Sequence, residues 1–523
     1  MDRDSVLAMY DIRGIQKYIF KTTKVKEAMG ASALVDTIIM DALNDAVEKL
    51  GLEGQAELDW YDEHGPKPYG ENGHAIQVLF VGGGNAYVMF ETKELCLNIN
   101  RHMARYILEE TYSLQLAVAV EAVSWNYQTD YDNLRKKMDE IKSKATVSHP
   151  YGALPIMKVE RSTGYPAICT REGQDISSET YLKQERKRQC KESEDEKIFD
   201  KLIEEKGVDS TLAVVHIDGN DVGRRIREHI KTATTYTEAV NRMRTLSYQI
   251  KFSYQNVFEQ MYQRFNEKSS QLEQFHKKEA MCFIRKILVA GDDITYVCSG
   301  KIALATVEYF CREISKMTMT GQRDERSLRK QRFSVCAGVA FMGSHFPFSA
   351  AYEVAEECCA QAKAKAKRPE SMDGNQIANY VDFQICKNVH TRNLELTRKR
   401  EYETCIGERL LCRPYYIPTE GDGAFGKQRE KELDSFAVLK KAIGHFQNGT
   451  KIPRSHAKTL RNTYPMGHLQ TDQLRAFFSS RNITMPDETM ELYEDGKAKW
   501  YDALEMMDLF ISLEEIEGKE VLE

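Results

Sequence analysis

The chain carries the same strand-and-turn pattern twice, and this repeat constrains its fold more than any other feature. In the first copy, Asp11 closes the apolar run VLAMYD, and the turn Gly82–Asn85 (GGGN) follows later in the chain. In the second copy, Asp218 closes the run TLAVVHID, and the turn Ala290–Asp293 (AGDD) follows after a similar interval. Matched landmarks of this kind indicate duplication of one structural unit. Only the second copy has adjacent carboxylates at its turn, so we predict that it is functional and that the first is degenerate.

Both copies also show the same order of predicted elements: strand, helix, hairpin, helix, strand. Period-2 and period-3.6 apolar patterns predict these elements. In the first copy they lie at 4–12, 14–49 (broken near Gly30), 76–91, 93–112 and 115–124. In the second copy they lie at 211–218, 221–275, 282–298, 301–318 and 333–342, with a closing helix at 349–368. This order is that of a ferredoxin-like βαββαβ unit, so the predicted fold class is α+β with two such units.

The repeat divides the chain into four predicted segments. They are a first unit at 1–146, a mixed connector at 147–208, a second unit at 209–389 and a mostly helical C-terminal domain at 390–523. A chain of 523 residues is long for one hydrophobic core, so several domains are expected.

The composition is typical of a globular protein in a reducing compartment. The 12 cysteines include no CxxC pair, which argues against a disulfide framework. No apolar run approaches the ~20 residues that span a bilayer, so we expect a cytoplasmic protein without membrane contact. The net charge of −6 disfavours a nucleic-acid scaffold, although local basic runs such as KQERKRQCK leave that role open.

Three carboxylates of the second copy are the candidate catalytic and metal-binding residues. In a βαββαβ sheet the hairpin turns near the end of the first strand, so Asp218 is expected at the same edge as Asp292 and Asp293. Such oxygen ligands suit Mg²⁺ or Mn²⁺, and two ions of this kind can activate a 3′-hydroxyl and steady a leaving pyrophosphate. Taken alone, an AGDD turn would be an ordinary surface turn.

Further residues of the second copy are candidates for nucleotide binding. Lys363 and Lys367 share one helix face and could hold a triphosphate, but a Lys/Ala-rich helix is also a common solvated surface. In the turn after Asp218, Gly219, Asn220 and Asp221 could hold a ribose or cap the next helix. Gly291 would let a phosphate approach the backbone of its turn. The histidines show no HExxH pattern and Cys169 stands alone, so no zinc is expected.

The motifs resemble those of a known family, the large polymerase-like subunit of type III CRISPR effector complexes. DGNDVG, AGDD and KAKAKAK resemble its second Palm domain, whose hairpin is usually GGDD and is related to GGDEF cyclases. DIRGIQKYIFKTTKVKEAMGASALV and FVGGGNAYVMF resemble its first, carboxylate-poor Palm. TGYPAICTREG looks like a remnant of its cysteine-bearing connector, and RPYYIP and KIPRSHAKTLRNTYPMG resemble its helical terminal domain.

The resemblance implies a nucleotidyl cyclase that joins ATP, or another NTP, into cyclic oligonucleotides, with the two Palms facing each other across paired nucleotides. Asp218, Asp292 and Asp293 match the metal-binding carboxylates, and Lys363 falls where a phosphate-binding lysine is expected. The turn residues Gly82, Gly83, Gly84 and Asn85 would contact the acceptor nucleotide. The chain shows no HD nuclease domain, so DNA cleavage is not expected.

Three alternatives stay open at this point. The chain could be a stand-alone enzyme, or it could be a structural subunit that works with guide RNA and other type III CRISPR subunits and binds nucleotide without turnover. It could also be a conventional polymerase or a diguanylate-type cyclase. The residues do not determine the base preference, the ring size of a product or the oligomeric state.

Overall fold

The computed structural model divides the chain into two compact units. One unit comprises Met1–Glu196, Asp221–Gln255 and Ile287–Asp293, and the other comprises Lys197–Asn220, Asn256–Lys286 and Ile294–Glu523. The structure describes residues 4–21, 25–70, 74–82, 85–144, 153–171, 173–189, 211–269, 283–318, 332–373, 376–387, 393–449, 451–487 and 489–518.

The N-terminal part of the chain forms the first predicted βαββαβ unit. Its elements are β1 (Val6–Arg13), α1 (Ile15–Phe20), α2 (Val25–Lys49), β2 (Ala56–Glu57), β3 (Tyr61–Asp62), β4 (Gly65–Pro66), β5 (Ile76–Gly82), β6 (Asn85–Phe90), α3 (Lys93–Thr111), β7 (Gln115–Ala122) and α4 (Tyr127–Lys144). The strand order is β2-β5-β6-β1-β7. β1 pairs antiparallel with both β6 and β7, so the strand that carries Asp11 has a neighbour on each side.

The predicted helix break near Gly30 is wrong. Helix α2 runs without interruption through Gly30, and a Cβ at that position would lie 1.9 Å from the carbonyl oxygen of Lys183. Glycine is used here because another backbone packs against the helix at that point, not because the helix ends there.

The connector is held by a buried carboxylate. Its described elements are β8 (Ala167–Arg171), β9 (Gln174–Ser177) and α5 (Ser178–Gln189). Glu160, only 6% exposed, accepts hydrogen bonds from the Ser162 and Thr180 hydroxyls at 2.7 and 2.8 Å and from the backbone N–H of Ser177 at 2.9 Å. Because its oxygens are satisfied by several donors, this buried charge is stable without a cation.

The second βαββαβ unit follows the connector and repeats the first arrangement. Its elements are β10 (Thr211–Gly219), α6 (Val222–Lys231), α7 (Tyr236–Ser269), β11 (Ile284–Ala290), β12 (Asp293–Ser299), α8 (Ala303–Ile314), β13 (Val335–Gly343) and α9 (Phe348–Ala366). The strand order β11-β12-β10-β13 matches β5-β6-β1-β7 of the first sheet. The predicted α+β class with two ferredoxin-like sheets is therefore confirmed.

The second sheet is longer than the sequence pattern predicted. Beyond α9 come β14 (Met372–Asp373), β15 (Gln376–Ile377), β16 (Asn379–Ile385), α10 (Leu394–Glu401) and β17 (Tyr415–Ile417). β16 pairs parallel with β13, and β17 pairs antiparallel with β16, which gives a six-stranded sheet. The strand at Asn379–Ile385 was not predicted, because the helix at 349–368 already completed the repeated unit.

Helix α9 lies directly on strand β13. A Cβ on Gly338 of this strand would lie 1.9 Å from the carbonyl oxygen of Ala355, so only glycine allows the approach. Buried side chains on both sides of this contact, including Cys336, Cys359 and Ala362, form part of the core. This close packing fixes the position of the lysines at the C-terminal end of α9.

The C-terminal region is mostly helical and is tied to β17 by a buried charge cluster. Its remaining elements are α11 (Gly423–Arg429), α12 (Phe436–Asn448), α13 (Arg454–Thr463), α14 (His468–Ser480), β18 (Tyr493–Glu494), β19 (Lys497–Ala498), α15 (Tyr501–Met506) and α16 (Leu513–Ile516). The fully buried Arg413 side chain contacts Asp502 at 2.8 Å and Glu505 at 2.7 Å. Among the described residues, no helix combines the length and the apolar character needed to cross a bilayer.

Candidate functional site

Asp218 and Lys363 form an ion pair at the end of β10. Lys363 reaches from α9 and its Nζ lies 2.5 Å from Asp218 Oδ2, while it also donates to the carbonyl oxygen of Gly219 at 3.1 Å. Burial alone would lower the pKa of Lys363, but the Asp218 carboxylate and its hydrogen bond raise it above its ordinary value. The lysine is therefore a fixed cation at this position, and its partner is a carboxylate whose side chain is 36% exposed.

His216 lies two residues before Asp218 on the same strand. Its Nδ1 is 3.1 Å from the Thr295 hydroxyl of β12, and its ring packs edge-on against Tyr352 of α9. Burial lowers the pKa of His216 to about 4, with Asp218 opposing the shift and Lys363 adding to it. The ring is therefore neutral at physiological pH, and it supports the strand end without serving as a base that titrates near neutrality.

The two polar residues of the turn after Asp218 make different contacts. Asn220 is buried, and its amide donates to the Ser334 hydroxyl at 3.3 Å and to the Ala378 carbonyl at 3.2 Å. Asp221 occupies the N-cap position of α6 in the left-handed region (φ 62°) without a side-chain cap hydrogen bond. Its carboxylate accepts instead from Arg224 Nε at 2.6 Å. Asn220 is thus a structural anchor, while Asp221 remains half-buried.

The AGDD turn connects β11 to β12. Gly291 adopts φ 65°, Asp292 completes the turn and Asp293 is the first residue of the strand, all three being half-buried. In the sheet order β12 lies between β11 and β10. Within the described ranges, no group of three or more His, Cys, Asp and Glu side chains is arranged to hold a metal ion. The metal set of Asp218, Asp292 and Asp293 therefore stays a prediction.

The lysines of α9 differ in their surroundings. Lys363 is held against Asp218, whereas Lys367 at the C-cap of the helix is exposed. Lys365, between them, pairs with Asp434 at 2.5 Å and donates to the Pro414 carbonyl at 2.7 Å, so it anchors the C-terminal region. Lys363 and Lys367 remain the two predicted phosphate-binding residues.

One family model matches the part of the chain that contains this site. Residues 211–372 match the model described as Cas10/Cmr2, second palm domain. This stretch is therefore similar to a Cas10/Cmr2 second palm domain. It contains Asp218, the AGDD turn and both lysines, so the resemblance to the large Palm-domain subunit of type III CRISPR systems is confirmed.

Solved structures resemble the whole chain in fold. Csm1 in the Csm1–Csm4 cassette in complex with pppApA matches with a TM-score of 0.53 and 12% identity, covering 97% of this chain and 69% of that one. Csm1 of T. onnurineus matches with a TM-score of 0.51 and 13% identity, again covering 97% and 69%. A search of curated proteins gave no match. At these identities the likeness shows the fold.

The first copy keeps the same ion pair without the acidic turn. Asp11, in β1, pairs with Lys142 of α4 and lies opposite Asn85 of β6 in the strand register. Gly82 ends β5, whereas Gly83 and Gly84 lie outside the described residues. An aspartate near the end of the first strand, paired with a lysine of the closing helix, is thus common to both copies. Sequence reasoning missed Lys142, although the repeat itself could have suggested it as the counterpart of Lys363.

Proposed function

We propose that the protein is a metal-dependent nucleotidyl cyclase that converts ATP, or another NTP, into a cyclic oligonucleotide messenger with release of pyrophosphate, in CRISPR-type antiviral defence. The observation that carries the proposal is the strand-ending Asp218, bonded to Lys363, within a Cas10/Cmr2 second palm domain that also bears the AGDD turn. The similar Csm1–Csm4 cassette was solved with pppApA, which suggests the ligand class.

The donor set fits a hard divalent cation. Asp218, Asp292 and Asp293 offer carboxylate oxygens, which Mg²⁺ and Mn²⁺ prefer, and none of them is a soft ligand. In this role the ions would supply charge stabilisation to the attacking 3′-oxygen and the leaving pyrophosphate. The proposed ligands are these three residues, and the chain offers Lys363 to the triphosphate.

Lys363 would act by exchanging partners. In the ligand-free protein it neutralises Asp218; with nucleotide bound, its ammonium group can turn to a phosphate oxygen while Asp218 keeps its negative charge for a cation. Lys367, one helical turn further, would add a second positive charge. Gly291 and Gly219 would allow the phosphates to approach the backbone, and Asp221 is half-buried and available to a ribose.

The first copy would bind the acceptor nucleotide. We propose Gly82, Gly83, Gly84 and Asn85 for this contact, since a glycine turn exposes backbone N–H groups without side-chain obstruction. We also propose that the partners are NTPs together with type III CRISPR subunits, as suggested by the Csm1–Csm4 cassette, and guide RNA. The predicted domain boundaries at 146, 208 and 389 are retained in this proposal.

A second candidate function is a structural subunit that binds nucleotide without turnover. It is favoured by the Lys363 contact, which occupies one oxygen of Asp218 in the protein alone. The test is to incubate the purified protein with each NTP and Mn²⁺, and to measure pyrophosphate release and the products by mass spectrometry. Cyclic product supports the enzyme. Nucleotide binding without product, together with co-purifying RNA, would favour the structural role.

A further inference from the structure

Strand β5, which leads into the glycine turn, contains a β-bulge. Val78 lies opposite Val88, but the next pair is Phe80 with Tyr87, so Leu79 is an extra residue without a partner in the ladder. A bulge leaves backbone groups outside the ladder and bends the strand that carries it. Leu79 is fully buried, so its carbonyl oxygen needs a donor from elsewhere.

That donor is Arg244 of α7. Its Nε donates to the Leu79 carbonyl at 2.7 Å, its Nη2 to the Val78 carbonyl at 2.8 Å and its Nη1 to the Lys67 carbonyl at 2.8 Å. The side chain is fully buried, and its guanidinium lies 5.5 Å from the ring centroid of Tyr69. Burying a guanidinium costs free energy, and the hydrogen bonds to the three carbonyl acceptors offset this cost.

The same face of α7 follows β5 to its end. One turn before Arg244, the side-chain oxygen of Asn241 accepts the backbone N–H of Tyr69 at 2.7 Å. One turn after it, Ser247 lies beside Gly82, since a Cβ on that glycine would be 3.6 Å from the serine hydroxyl. A helix from the middle of the chain therefore contacts the bulge and Gly82, the first residue of the glycine turn.

We propose that Arg244 is a positioning residue: its guanidinium fixes the bulge at Leu79 and so sets the direction in which β5 runs to Gly82, the first residue of the turn proposed to bind the acceptor nucleotide. The planar fork of arginine can bridge three carbonyls at once, whereas a lysine ammonium at the end of a flexible stem cannot hold the same geometry. The expected effect on ATP turnover rests on the proposed cyclase activity, whereas the expected effect on the hairpin does not.

The test compares Arg244→Lys with a matched control, Arg242→Lys. Arg242 lies on the same helix but contacts Glu238, Thr232 and the His229 carbonyl instead of β5. Hydrogen exchange is measured on peptides covering 76–82 and 85–90, with β7 as an internal reference. ATP turnover is measured with Mn²⁺. If the glycine turn holds the nucleotide equally in the ground state and the transition state, moving the turn weakens binding and raises KM. Arg244→Lys should therefore raise KM about tenfold and change kcat less than about twofold.

We expect faster exchange in both arms of the hairpin for Arg244→Lys, unchanged exchange in β7, and wild-type behaviour for Arg242→Lys. Unchanged hairpin exchange, an unchanged KM, or equal loss in both variants would overturn the inference. If Arg244→Lys fails to fold, hydrogen exchange in the wild-type protein decides. Hairpin amides as protected as those of β7 support the positioning role of Arg244. Hairpin amides that exchange like a free loop refute it. A wild-type protein without ATP turnover would end the cyclase proposal, and the exchange data alone would then decide the role of Arg244.

Discussion

Lys363 Nζ lies 2.5 Å from Asp218 Oδ2, so a carboxylate that we propose as a metal ligand already has a cationic partner in the protein alone. The two roles of Asp218 are compatible if the lysine moves to a phosphate when nucleotide and metal bind. This competition between an ammonium group and a divalent cation for one carboxylate oxygen can be measured.

Replacing Lys363 with methionine should therefore separate nucleotide binding from metal binding. A lost charge-assisted contact to phosphate costs about 1.5–3 kcal/mol, or roughly tenfold to a hundredfold in the KM for ATP. Binding of Mn²⁺ should be unchanged or tighter, because Asp218 no longer has a competing cation. Steady-state kinetics and a Mn²⁺ titration measure the two effects. The exposed Lys367→Met variant serves as the comparison and should show the smaller effect; weaker Mn²⁺ binding in Lys363→Met would contradict the exchange of partners.

Replacing both Asp292 and Asp293 with alanine should stop product formation while leaving the fold intact. Loss of metal-assisted charge stabilisation removes several kcal/mol of transition-state binding, or about a thousandfold in rate. Pyrophosphate release from ATP with Mn²⁺ is the measurement. Asp11→Ala is the control and should retain nearly full activity, since its own turn has no carboxylates. Equal activity in the wild type and the double variant would show that AGDD is a turn without catalytic function.

The connector should depend on the buried carboxylate of Glu160. Burial alone would raise the pKa of Glu160, but the hydrogen bonds from Ser177, Ser162 and Thr180 outweigh burial and lower it below its ordinary value. The folded protein thus binds this proton less readily than the unfolded chain. The carboxylate stabilises the fold above the unfolded pKa of about 4.3, and this contribution is lost as the pH falls through the lower folded value.

Glu160→Gln should consequently lower the melting temperature at neutral pH, because a buried donor set loses its charged acceptor at a cost of roughly 1–3 kcal/mol. The difference from wild type should shrink as the pH falls below about 4. Thermal unfolding of both proteins across this pH range is the measurement. A difference that stays constant or grows in acid would show that the carboxylate is not stabilised in its charged form.

Elemental analysis of the purified protein should show zinc well below one ion per chain. A structural zinc site needs four ligands, usually cysteines in closely spaced pairs, and the connector offers Cys169 without a CxxC partner. Stoichiometric zinc that survives dialysis against a chelator would refute this expectation.

Local pattern was enough to predict the βαββαβ core of both sheets, because the strands and helices of this core each show their own periodicity and the two copies can be compared with each other. Gly30 was wrongly predicted to break the helix, because glycine favours turns, whereas here it allows close packing against Lys183. The strand at Asn379–Ile385 was not predicted, because it lies beyond the repeated unit.

The parts of the site that depend on distant contacts could not be predicted. Arg244 is one arginine among several on α7, and nothing in its neighbourhood along the chain points to the carbonyl of Leu79. The bulge itself has no sequence signal, because it contains no glycine. The pairing of Lys363 with Asp218 likewise depends on the packing of α9 on β13, which no local sequence pattern predicts.

The ion pair between Asp11 and Lys142 gives the degenerate first copy part of the arrangement proposed for the site in the second copy. That copy has a glycine turn where the other has an acidic one, yet its aspartate pairs with a lysine as Asp218 pairs with Lys363. In the sequence repeat, Gly84 and Asn85 of GGGN stand where Asp292 and Asp293 stand in AGDD. We therefore predict that the double variant Gly84→Asp, Asn85→Asp gains an additional Mn²⁺ site, which a Mn²⁺ titration against the wild type would measure.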